Sequence, residues 1–248
     1  MKTAIIIPAR LRSTRLPNKV LLDLAGKPVI QRVYEACLKS KLCNVVYIAV
    51  DDTTVQQACV KFTDNVIFTS PEHSSGTSRM TEAIKHIDAD LVINVQGDEP
   101  FIDAATIDQL ISALTDSDNA EIASALSKIK TIEELNNPNL VKVVTDNYSN
   151  AIYFSRFPIP YNRDNQEVNP ENYKKHIGIY GYKRSFLENF SLLTPSFLEN
   201  SEKLEQLRFI ENGYKIKMIE VTAFEKGIDT PEDLEWAREK YAFENKNT

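Results

Sequence analysis

The chain has 248 residues, of which 42% are hydrophobic and 26% are charged. This composition is typical of a globular protein and excludes disordered, collagen-like and low-complexity classes. The net charge of −6 excludes general binding to nucleic acids or anionic membranes, because both attract a basic surface.

The charge is distributed unevenly along the chain. The first 27 residues contain six basic residues and one acidic residue. An acidic protein with a basic N-terminal segment is suited to one small polyanion rather than a long one. We therefore expect a small anionic ligand and no nucleic-acid partner.

The cysteines and the hydropathy pattern indicate a soluble, cytoplasmic protein. Cys37, Cys43 and Cys59 lack the paired spacing of metal sites, so we expect reduced, buried thiols. The apolar run Ala4–Ile7 ends at Pro8 and is much shorter than the roughly 20 residues of a membrane helix. We expect no membrane insertion.

The first 115 residues alternate between β-branched apolar runs and apolar residues at helical spacing. The predicted elements are the strand Ala4–Ile7, a helix opened by Pro28, the strand Val45–Val50, the helix Val55–Phe62, the strand Val66–Phe68, the helix Thr77–Ile87, the strand Leu91–Val95 and the helix Ala105–Leu114. This alternation predicts an α/β fold with an open, mostly parallel sheet and helices on both faces. Ligands of such sheets bind beyond the carboxyl ends of the strands.

The second half of the chain predicts a smaller, mixed β region. The predicted elements are the strands Ile122–Leu126, Val141–Thr145, Ala151–Phe154, His176–Tyr182 and Ile216–Val221, the helix Lys203–Asn212 and a C-terminal helix that begins at Thr230-Pro231. The segment Phe157–Tyr173 is rich in Pro and Asn, and we interpret it as a mobile loop. The residues alone leave the strand order of this half open.

The loop after the first strand is a candidate anion site. The segment Pro8–Lys19 reads PARLRSTRLPNK and gathers cations at the carboxyl end of a predicted parallel strand. Arg can chelate phosphate oxygens and Lys acts as a point charge, which suits a triphosphate. The segment is not a P-loop, since it lacks the spaced glycines and Gly-Lys-Ser/Thr. The alternative is a solvated basic loop.

Two aspartates at predicted turns are candidate metal ligands. Asp98 follows a buried strand and Gly97, and Asp229 precedes the C-terminal helix. Such carboxylates can hold Mg²⁺ against phosphates, because this hard cation prefers oxygen ligands. Either aspartate could instead stabilise a turn or a helix N-terminus. Sequence spacing does not show whether the fold brings the two together.

The segment His73–Arg79 is a candidate contact for a nucleotide. Its hydroxyl and N–H groups could hydrogen-bond a base or ribose, and Arg79 could meet an anion. Ordinary capping of the following helix by Ser75 or Thr77 is the alternative.

A polar, aromatic strand in the second half suits a sugar. Period-two alternation predicts one face that carries His176, Gly178, Tyr180 and Tyr182. The alternative is a half-buried strand with hydrogen-bonded aromatic side chains. On the predicted helix Lys203–Asn212, Glu205 and Gln206 would by default form a solvated face.

Taken together and in order, these segments resemble the 3-deoxy-manno-octulosonate cytidylyltransferase (CMP-Kdo synthetase) family. The resemblance spans essentially the whole chain, through Pro8-Ala9-Arg10, Ser13–Pro17, Lys19, Gly26–Pro28, Asp51-Asp52, Thr69–Pro71, Ser75–Thr77, Arg79, Val95–Pro100, Val141–Val144, Tyr153–Arg156, Pro158–Pro160, His176–Tyr180, Leu204–Arg208 and Asp229–Leu234. It implies a nucleotide-diphospho-sugar transferase fold and a homodimer. It also implies Mg²⁺-dependent joining of CTP and Kdo to CMP-Kdo and pyrophosphate, which activates Kdo for lipopolysaccharide assembly.

The resemblance also implies roles for individual residues. Catalysis would involve Arg10, Lys19, Asp98 and Asp229, with Mg²⁺ bound by Asp98 and Asp229. The nucleotide would be bound by Pro8, Ala9, Arg10, Arg15, Lys19, Ser75, Gly76 and Arg79. The sugar site would contain Gln96, Arg156, His176, Tyr180, Glu205 and Gln206, with Arg156 or His176 near the sugar carboxylate. We expect one domain over residues 1–248, with a nucleotide-binding part at about 1–115, a sugar-binding and dimerisation part at about 116–225 and the C-terminal helix at 231–241.

Three residues depart from the family pattern. Asn18 stands where Gly is usual, and Asn tolerates positive φ better than other non-Gly residues. Val50 replaces Thr, and Ser78 replaces an Asp beside the nucleotide segment. The Ser78 change leaves two alternatives open, which are another 2-keto sugar acid (8-amino-Kdo or a sialic-type acid) and a nucleotide-binding paralogue without turnover. A sugar-1-phosphate nucleotidyltransferase is disfavoured, because its Gly-x-Gly-Thr-Arg pattern is absent.

Overall fold

The computed structural model describes residues 1–11, 13, 15–73, 75–117, 119–163, 168–222 and 224–246. The chain divides into two units, of which the first comprises Met1–Asp108 and Glu225–Thr248 and the second comprises Gln109–Phe224. The division falls within a helix, α4 (Ala104–Thr115).

Strands and helices alternate in the order that the sequence predicts for the first half. The strands are β1 (Thr3–Ala9), β2 (Asp23–Leu24), β3 (Lys27–Pro28), β4 (Val45–Val50), β5 (Val66–Phe68), β6 (Leu91–Asn94), β7 (Ile122–Lys128), β8 (Lys142–Thr145), β9 (Ala151–Ser155), β10 (Lys174–Lys183) and β11 (Ile216–Glu220). The helices are α1 (Val29–Cys37), α2 (Thr53–Cys59), α3 (Gly76–Ala83), α4, α5 (Ile132–Asn136), α6 (Arg184–Asn189), α7 (Phe197–Glu202), α8 (Gln206–Glu211) and α9 (Pro231–Lys246). Short 3₁₀ helices lie at Lys19–Leu21, Ile84–His86, Pro170–Asn172 and Phe190–Leu192.

The first unit contains parallel strands in the order β6-β1-β4-β5. Its central strand is β1, which pairs with β4 on one side and β6 on the other, and Ala4–Ile7 are fully buried. A strand covered on both faces needs apolar side chains at every position, which explains the unbroken apolar run. Because the strands are parallel, the loops that follow β1 and β6 emerge at the same edge of the sheet. The predicted α/β class is confirmed.

The second unit contains a mixed sheet. Strand β7 pairs with β10 in antiparallel and with β11 in parallel fashion, while β8 pairs in antiparallel fashion with both β10 and β9. The strands predicted for this half are confirmed with small shifts of their bounds. The predicted mobile loop contains the 3₁₀ helix Pro170–Asn172, and its residues 164–167 lie outside the described residues.

The helix predicted over 203–212 is confirmed over Gln206–Glu211, but its first three residues are not helical. Helix α7 ends at Glu202, the next residue Lys203 takes a left-handed conformation with φ of 54°, and α8 begins only at Gln206. A left-handed residue reverses the helical path, so one helix cannot pass through it. The sequence of α7 (FLENSE) is polar and lacks helical periodicity, which explains why the pattern did not predict it.

Candidate functional site

A cavity of about 440 Å³ lies in the first unit, at the carboxyl ends of β1 and β6. It is lined by Pro8, Arg10, Ser13, Arg15, Lys19, Val20, Ser75, Gly76, Gln96, Gly97, Asp98 and Asp229. All residues expected to bind the nucleotide line it except Ala9 and Arg79. The volume is within the usual range for small-molecule sites. The residues Arg12 and Thr14 of the basic loop lie outside the described residues.

The ammonium group of Lys19 joins the two candidate metal ligands. Its Nζ donates to Oδ1 of Asp229 at 2.7 Å and also forms an ion pair with Oδ2 of Asp98. Arg15 binds the other oxygen of Asp229 at 3.0 Å. Burial acts to lower the pKa of Lys19, but the two carboxylates outweigh it and the pKa is raised. The fold therefore brings together two aspartates whose proximity the sequence could not show.

Two glycines allow the loops that carry these aspartates to approach other backbone closely. A Cβ on Gly97 would lie 2.8 Å from the carbonyl oxygen of Pro8, closer than real Cβ contacts come. A Cβ on Gly227 would lie 3.1 Å from the carbonyl oxygen of Asp98, and the neighbouring Ile228 N–H donates to that same oxygen at 2.8 Å. The absence of a side chain at both positions is thus what lets the loops pack side by side.

Asp229 is not the residue that caps α9. The hydroxyl of Thr230 accepts the N–H of Asp233, and the Asp233 carboxylate accepts the N–H groups of Asp229 and Thr230. Although burial acts to raise it, hydrogen bonds from Lys226 and from these N–H groups lower the pKa of Asp233 to about 2. Because Asp233 fulfils the capping role, the carboxylate of Asp229 faces the cavity and the cations there.

Ser78 takes part in capping the N-terminus of α3. The Ser75 hydroxyl accepts the Ser78 N–H at 3.1 Å, and the Ser78 hydroxyl accepts the Ser75 N–H at 3.3 Å. This reciprocal pair is a capping box, in which the third helical residue is usually Glu or Gln. Ser78 therefore supplies the acceptor that a carboxylate would supply, and the geometry that presents Ser75 and Gly76 to the cavity is retained.

Arg79 does not line the cavity, in contrast to the sequence-based expectation. Its side chain is fully buried, and its guanidinium donates to Thr69 Oγ1 at 2.6 Å and to Asp51 at 2.8 Å. Burial lowers the pKa of Arg79, the Asp51 carboxylate opposes that shift, and the nearby charge of Arg10 adds to it. The charge is thus compensated inside the protein, and Arg79 joins α3 to the ends of β4 and β5.

Three of the residues predicted for the sugar site lie together in the second unit. His176 and Tyr180 have ring centroids 5.4 Å apart, and the charge of Glu205 contributes to the raised pKa of Tyr180, after burial and Tyr182. A bulge separates the pairs Ile177↔Ala125 and Tyr180↔Ser124. The bulge inserts two extra residues into β10, so the alternation of side chains between the two faces of the strand is kept. His176 and Tyr180 therefore share a face, as predicted.

Ser124 was not predicted from the sequence, although it joins this group. Its hydroxyl lies 2.9 Å from Nε2 of His176 and 2.8 Å from the carbonyl oxygen of Ile179. Burial lowers the pKa of His176 to about 3, so its imidazole is neutral at neutral pH. A neutral ring can hydrogen-bond a sugar carboxylate but brings no charge to it. The sequence gives no indication that Ser124 belongs to this group, because a serine on a buried strand has no distinctive pattern. The carbonyl oxygens that Ser124 binds become accessible only through the bulge in β10.

The other predicted sugar residues are more dispersed. Arg156 uses Nε, Nη1 and Nη2 to bind the carbonyl oxygens of Glu202, Pro138 and Lys203, so its guanidinium joins the backbone at Pro138 to the backbone of Glu202-Lys203. Gln206 is buried at the start of α8. Gln96 belongs to the first unit, where it lines the cavity. Their contacts to a sugar stay predictions.

The donors available to a metal ion are few. Among the described residues, no three or more His, Cys, Asp or Glu side chains are grouped so that they could hold an ion. Asp98 and Asp229 form a pair of hard oxygen donors that converge on the single Nζ of Lys19. Two carboxylates fit Mg²⁺ where phosphate oxygens and water complete the shell, as is usual for this ion.

In the part of the chain that is described, no helix is sufficiently long and apolar to span a membrane.

Comparison with known proteins gives consistent similarities along the whole chain. The sequence model of a family described as cytidylyltransferase matches residues 4–217. Relatives called 3-deoxy-manno-octulosonate cytidylyltransferase occur in Geobacter sulfurreducens (43% identity over 97% of this chain and 99% of the relative). One from Francisella tularensis subsp. holarctica has 44% identity over 96% of this chain and 97% of the relative.

Solved structures show the same similarity. A CMP:2-keto-3-deoxy-manno-octonic acid synthetase complexed with CTP superposes with a TM-score of 0.93 at 42% identity, and covers 98% of this chain and 100% of its own. A 4-diphosphocytidyl-2C-methyl-D-erythritol synthase from Anaerococcus prevotii has a TM-score of 0.63 at 16% identity, covering 97% and 96%, and shows the fold alone. The expected nucleotide-diphospho-sugar transferase fold is confirmed.

Proposed function

Because this chain belongs to the cytidylyltransferase family, we propose that it joins CTP and Kdo to give CMP-Kdo and pyrophosphate, which activates Kdo for lipopolysaccharide assembly. The observation that carries the proposal is the cavity in which three cations, Arg10, Arg15 and Lys19, face two carboxylates. The relatives and the CTP complex described above support the choice of substrates.

The reaction needs no covalent intermediate on the protein. The anomeric hydroxyl oxygen of Kdo attacks the α-phosphorus of CTP and loses its proton. A new oxygen–phosphorus bond forms, the bond between the α-phosphorus and the bridging oxygen breaks, and pyrophosphate leaves with that electron pair. The protein accelerates such a transfer by positioning the reactants and by stabilising the charge that develops on phosphate oxygens.

The side chains that line the cavity can supply that stabilisation. Arg10 and Arg15 can each bind phosphate oxygens with two parallel hydrogen bonds, whereas Lys19 offers a compact ammonium group. The pKa of Lys19 is raised, so its ammonium group stays protonated. Lys19 can therefore turn from the aspartates to the triphosphate without a change of charge. Removal of Lys19 is therefore expected to reduce turnover more than substrate binding.

We further propose that Asp98 and Asp229 hold Mg²⁺. The support is the donor set, two hard carboxylate oxygens brought together at the cavity. When bound, Mg²⁺ neutralises phosphate charge and lowers the pKa of a coordinated hydroxyl. Asp98 and Asp229 would orient it, while Arg15 stays in contact with Asp229.

Pyrophosphate release with CTP, Mg²⁺ and Kdo tests the function. Parallel reactions with 8-amino-Kdo and N-acetylneuraminate test the sugar, and ATP and UTP test the nucleotide. We expect turnover with CTP and Kdo, and a loss of about 10³-fold in kcat for Asp98→Asn. The control Asp88→Asn removes an exposed carboxylate of the same unit, 84% exposed, and should act as wild type. Pyrophosphate release with another sugar but not with Kdo would show that the substrate is that other sugar acid. CTP binding without pyrophosphate release would contradict the proposed turnover.

We also infer that the protein is a homodimer. The support is the family resemblance together with large apolar side chains of the second unit that are exposed to solvent, among them Tyr148, Ile152, Phe157 and Phe197. Sedimentation at micromolar concentration should give about twice 28.1 kDa. A mass of one chain would contradict it.

We place the reaction in the cytoplasm. Cys37 and Cys59 are buried free thiols and Cys43 is also unpaired, as is typical of proteins kept in a reducing compartment. Cell fractionation with detection of the protein tests the location, and recovery in the periplasm would contradict it.

A further inference from the structure

Between β5, which ends at Phe68, and α3, which begins at Gly76, the described residues are 69–73 and 75, and they have no regular secondary structure. We call these residues the segment, and Ser75 at its end and Gly76 after it line the cavity. A chain without regular secondary structure has many accessible conformations, and ordering it costs conformational entropy. Specific contacts must therefore hold it where the cavity needs it.

The two ends of the segment are held by groups described above. At its start, the Thr69 hydroxyl donates to the Val50 carbonyl at 3.0 Å and accepts from the buried Arg79. At its end, Ser75 is held in the capping box with Ser78. Neither contact reaches the residues in between.

The middle of the segment is held by one carboxylate of α3. Oε2 of Glu82 accepts the backbone N–H of Ser70 at 3.0 Å and also forms a hydrogen bond with Nε2 of His73. The hydrogen bond from His73 contributes most to holding the pKa of Glu82 below its ordinary value. We call Glu82, His73 and Ser70 the clamp.

We propose that Glu82 is a positioning residue for the CTP site and that it acts through the clamp on Ser75 and Gly76. The inference rests on the proposed function, since it assigns the clamp to the binding of CTP. Glu82 lies on the same helix as Gly76, so the clamp ties the segment to the helix that follows it. Loss of the clamp leaves the segment held at Thr69 and Ser75, and its residues then sample positions in which the cavity wall is displaced.

The displaced wall should weaken CTP binding more than it slows the chemical step. Lys19, Asp98 and Asp229 are carried by other loops and keep their mutual contacts. Glu82 and His73 do not line the cavity, with side chains 30% and 19% exposed. We expect Glu82→Ala and His73→Ala each to raise the Kd for CTP about tenfold, with kcat within about twofold of wild type.

A double-mutant cycle separates the clamp from other effects of the two side chains. Glu82 also interacts with the charge of Arg79, so Glu82→Ala removes that interaction together with the clamp. His73→Ala removes the His73 contact and leaves the interaction of Glu82 with Arg79 intact. If both residues act through the clamp, the double variant binds CTP about as weakly as either single variant, since the same contact is removed. Glu82→Gln keeps an oxygen for the Ser70 N–H and should fall between wild type and Glu82→Ala.

Glu35→Ala is the matched control. Its carboxylate is similarly exposed at 35% and binds Lys27 at 2.6 Å and Gln31 at 3.0 Å, away from the cavity. Glu35→Ala should lower stability about as much as Glu82→Ala, but it should not change the Kd for CTP. Glu82→Ala should accelerate amide exchange at Ser70–His73, whereas Glu35→Ala should leave that exchange unchanged.

Three results would overturn the inference. They are a single clamp variant that binds CTP within twofold of wild type, effects that multiply in the double variant, and an equal loss of CTP affinity in Glu35→Ala. Calorimetry with CTP alone needs no turnover, so the clamp is decided even where pyrophosphate release fails. Wild-type protein that does not bind CTP would contradict both the clamp and the proposed function.

Discussion

The Nζ atom of Lys19 lies 2.7 Å from Oδ1 of Asp229, although 210 positions separate the two residues in the chain. The same ammonium group contacts Asp98, so one cation is shared by both carboxylates proposed to bind Mg²⁺. Without this cation, the two carboxylates would repel each other. Lys19 thus stabilises the proximity of the two aspartates that are proposed to hold the divalent cation.

This relationship predicts opposite effects of Lys19→Met on metal binding and on turnover. Without nucleotide, the variant should bind Mn²⁺ about tenfold more tightly, because no ammonium group competes for the carboxylates. Its kcat should fall about 10²-fold or more, because a cation that faces the phosphates is lost. Mn²⁺ titration followed by paramagnetic resonance measures the first effect.

Lys27→Met serves as the control for Lys19→Met, since Lys27 pairs with Glu35 outside the cavity. It should leave both Mn²⁺ binding and kcat unchanged. Equal Mn²⁺ affinity of Lys19→Met and wild type would show that Lys19 does not compete with the metal.

Restoring an acidic residue at position 78 should stabilise the protein. In Ser78→Asp, a carboxylate would accept the Ser75 N–H now bound at 3.3 Å and would favour the positive N-terminus of α3. We expect a gain of about 0.5–1 kcal/mol in the free energy of unfolding, measured in urea, with little change in the KM for CTP. Ser78→Ala should lose about 1 kcal/mol. An aspartate variant less stable than the alanine variant would contradict this account.

His176 should make the protein less stable in mild acid. Burial lowers its pKa from 6.5 to about 3. Between these values the unfolded chain binds a proton at this position and the folded chain does not, so stability falls as the pH drops below about 6.5. The loss should reach about 2 kcal/mol near pH 5, at about 1.4 kcal/mol per pH unit.

Urea unfolding of wild type and His176→Gln, near pH 7.5 and near pH 5, measures this contribution. Wild type should lose about 2 kcal/mol more than the variant, because only wild type carries the imidazole of His176. An equal loss in both would place the acid sensitivity elsewhere.

Gly97→Ala should damage the site through packing. The new Cβ would lie 2.8 Å from the carbonyl oxygen of Pro8, so the loop after β6 must move away from the end of β1. We expect a loss of about 1–3 kcal/mol in stability together with reduced kcat, because Asp98 is the next residue. At Gly178 a Cβ meets no atom within 4 Å, so the stability of Gly178→Ala is the comparison. Similar stability of the two variants would show that the close approach is unimportant.

Local patterns were sufficient for most of the fold. The apolar run at Ala4–Ile7 predicts a strand covered on both faces, and β1 is one. Thr230-Pro231 predicts the start of α9, and a capping box is found there. Such features depend on residues close in sequence, and hydrophobic periodicity and capping report them directly. Asn18 has a positive φ of 56°, which Asn tolerates better than other non-Gly residues where the family usually has Gly.

Contacts between distant segments were beyond the sequence. The short α7, the left-handed Lys203 and the bulge in β10 interrupt regular patterns without a local signal. Arg79 illustrates the same limit, since its residue type indicated an anion site. Only the burial of its guanidinium against Asp51 shows that its charge is used inside the protein.

The sequence by itself determined the α/β class, the family resemblance and the set of cations and carboxylates that line the cavity. Only the tertiary structure decided that Lys19 joins Asp98 to Asp229, that Arg79 is internal and that Glu82 holds the segment before Ser75. The physical reason is that strand and helix signals arise from neighbouring residues, whereas a site depends on which loop ends the parallel sheet brings to one edge.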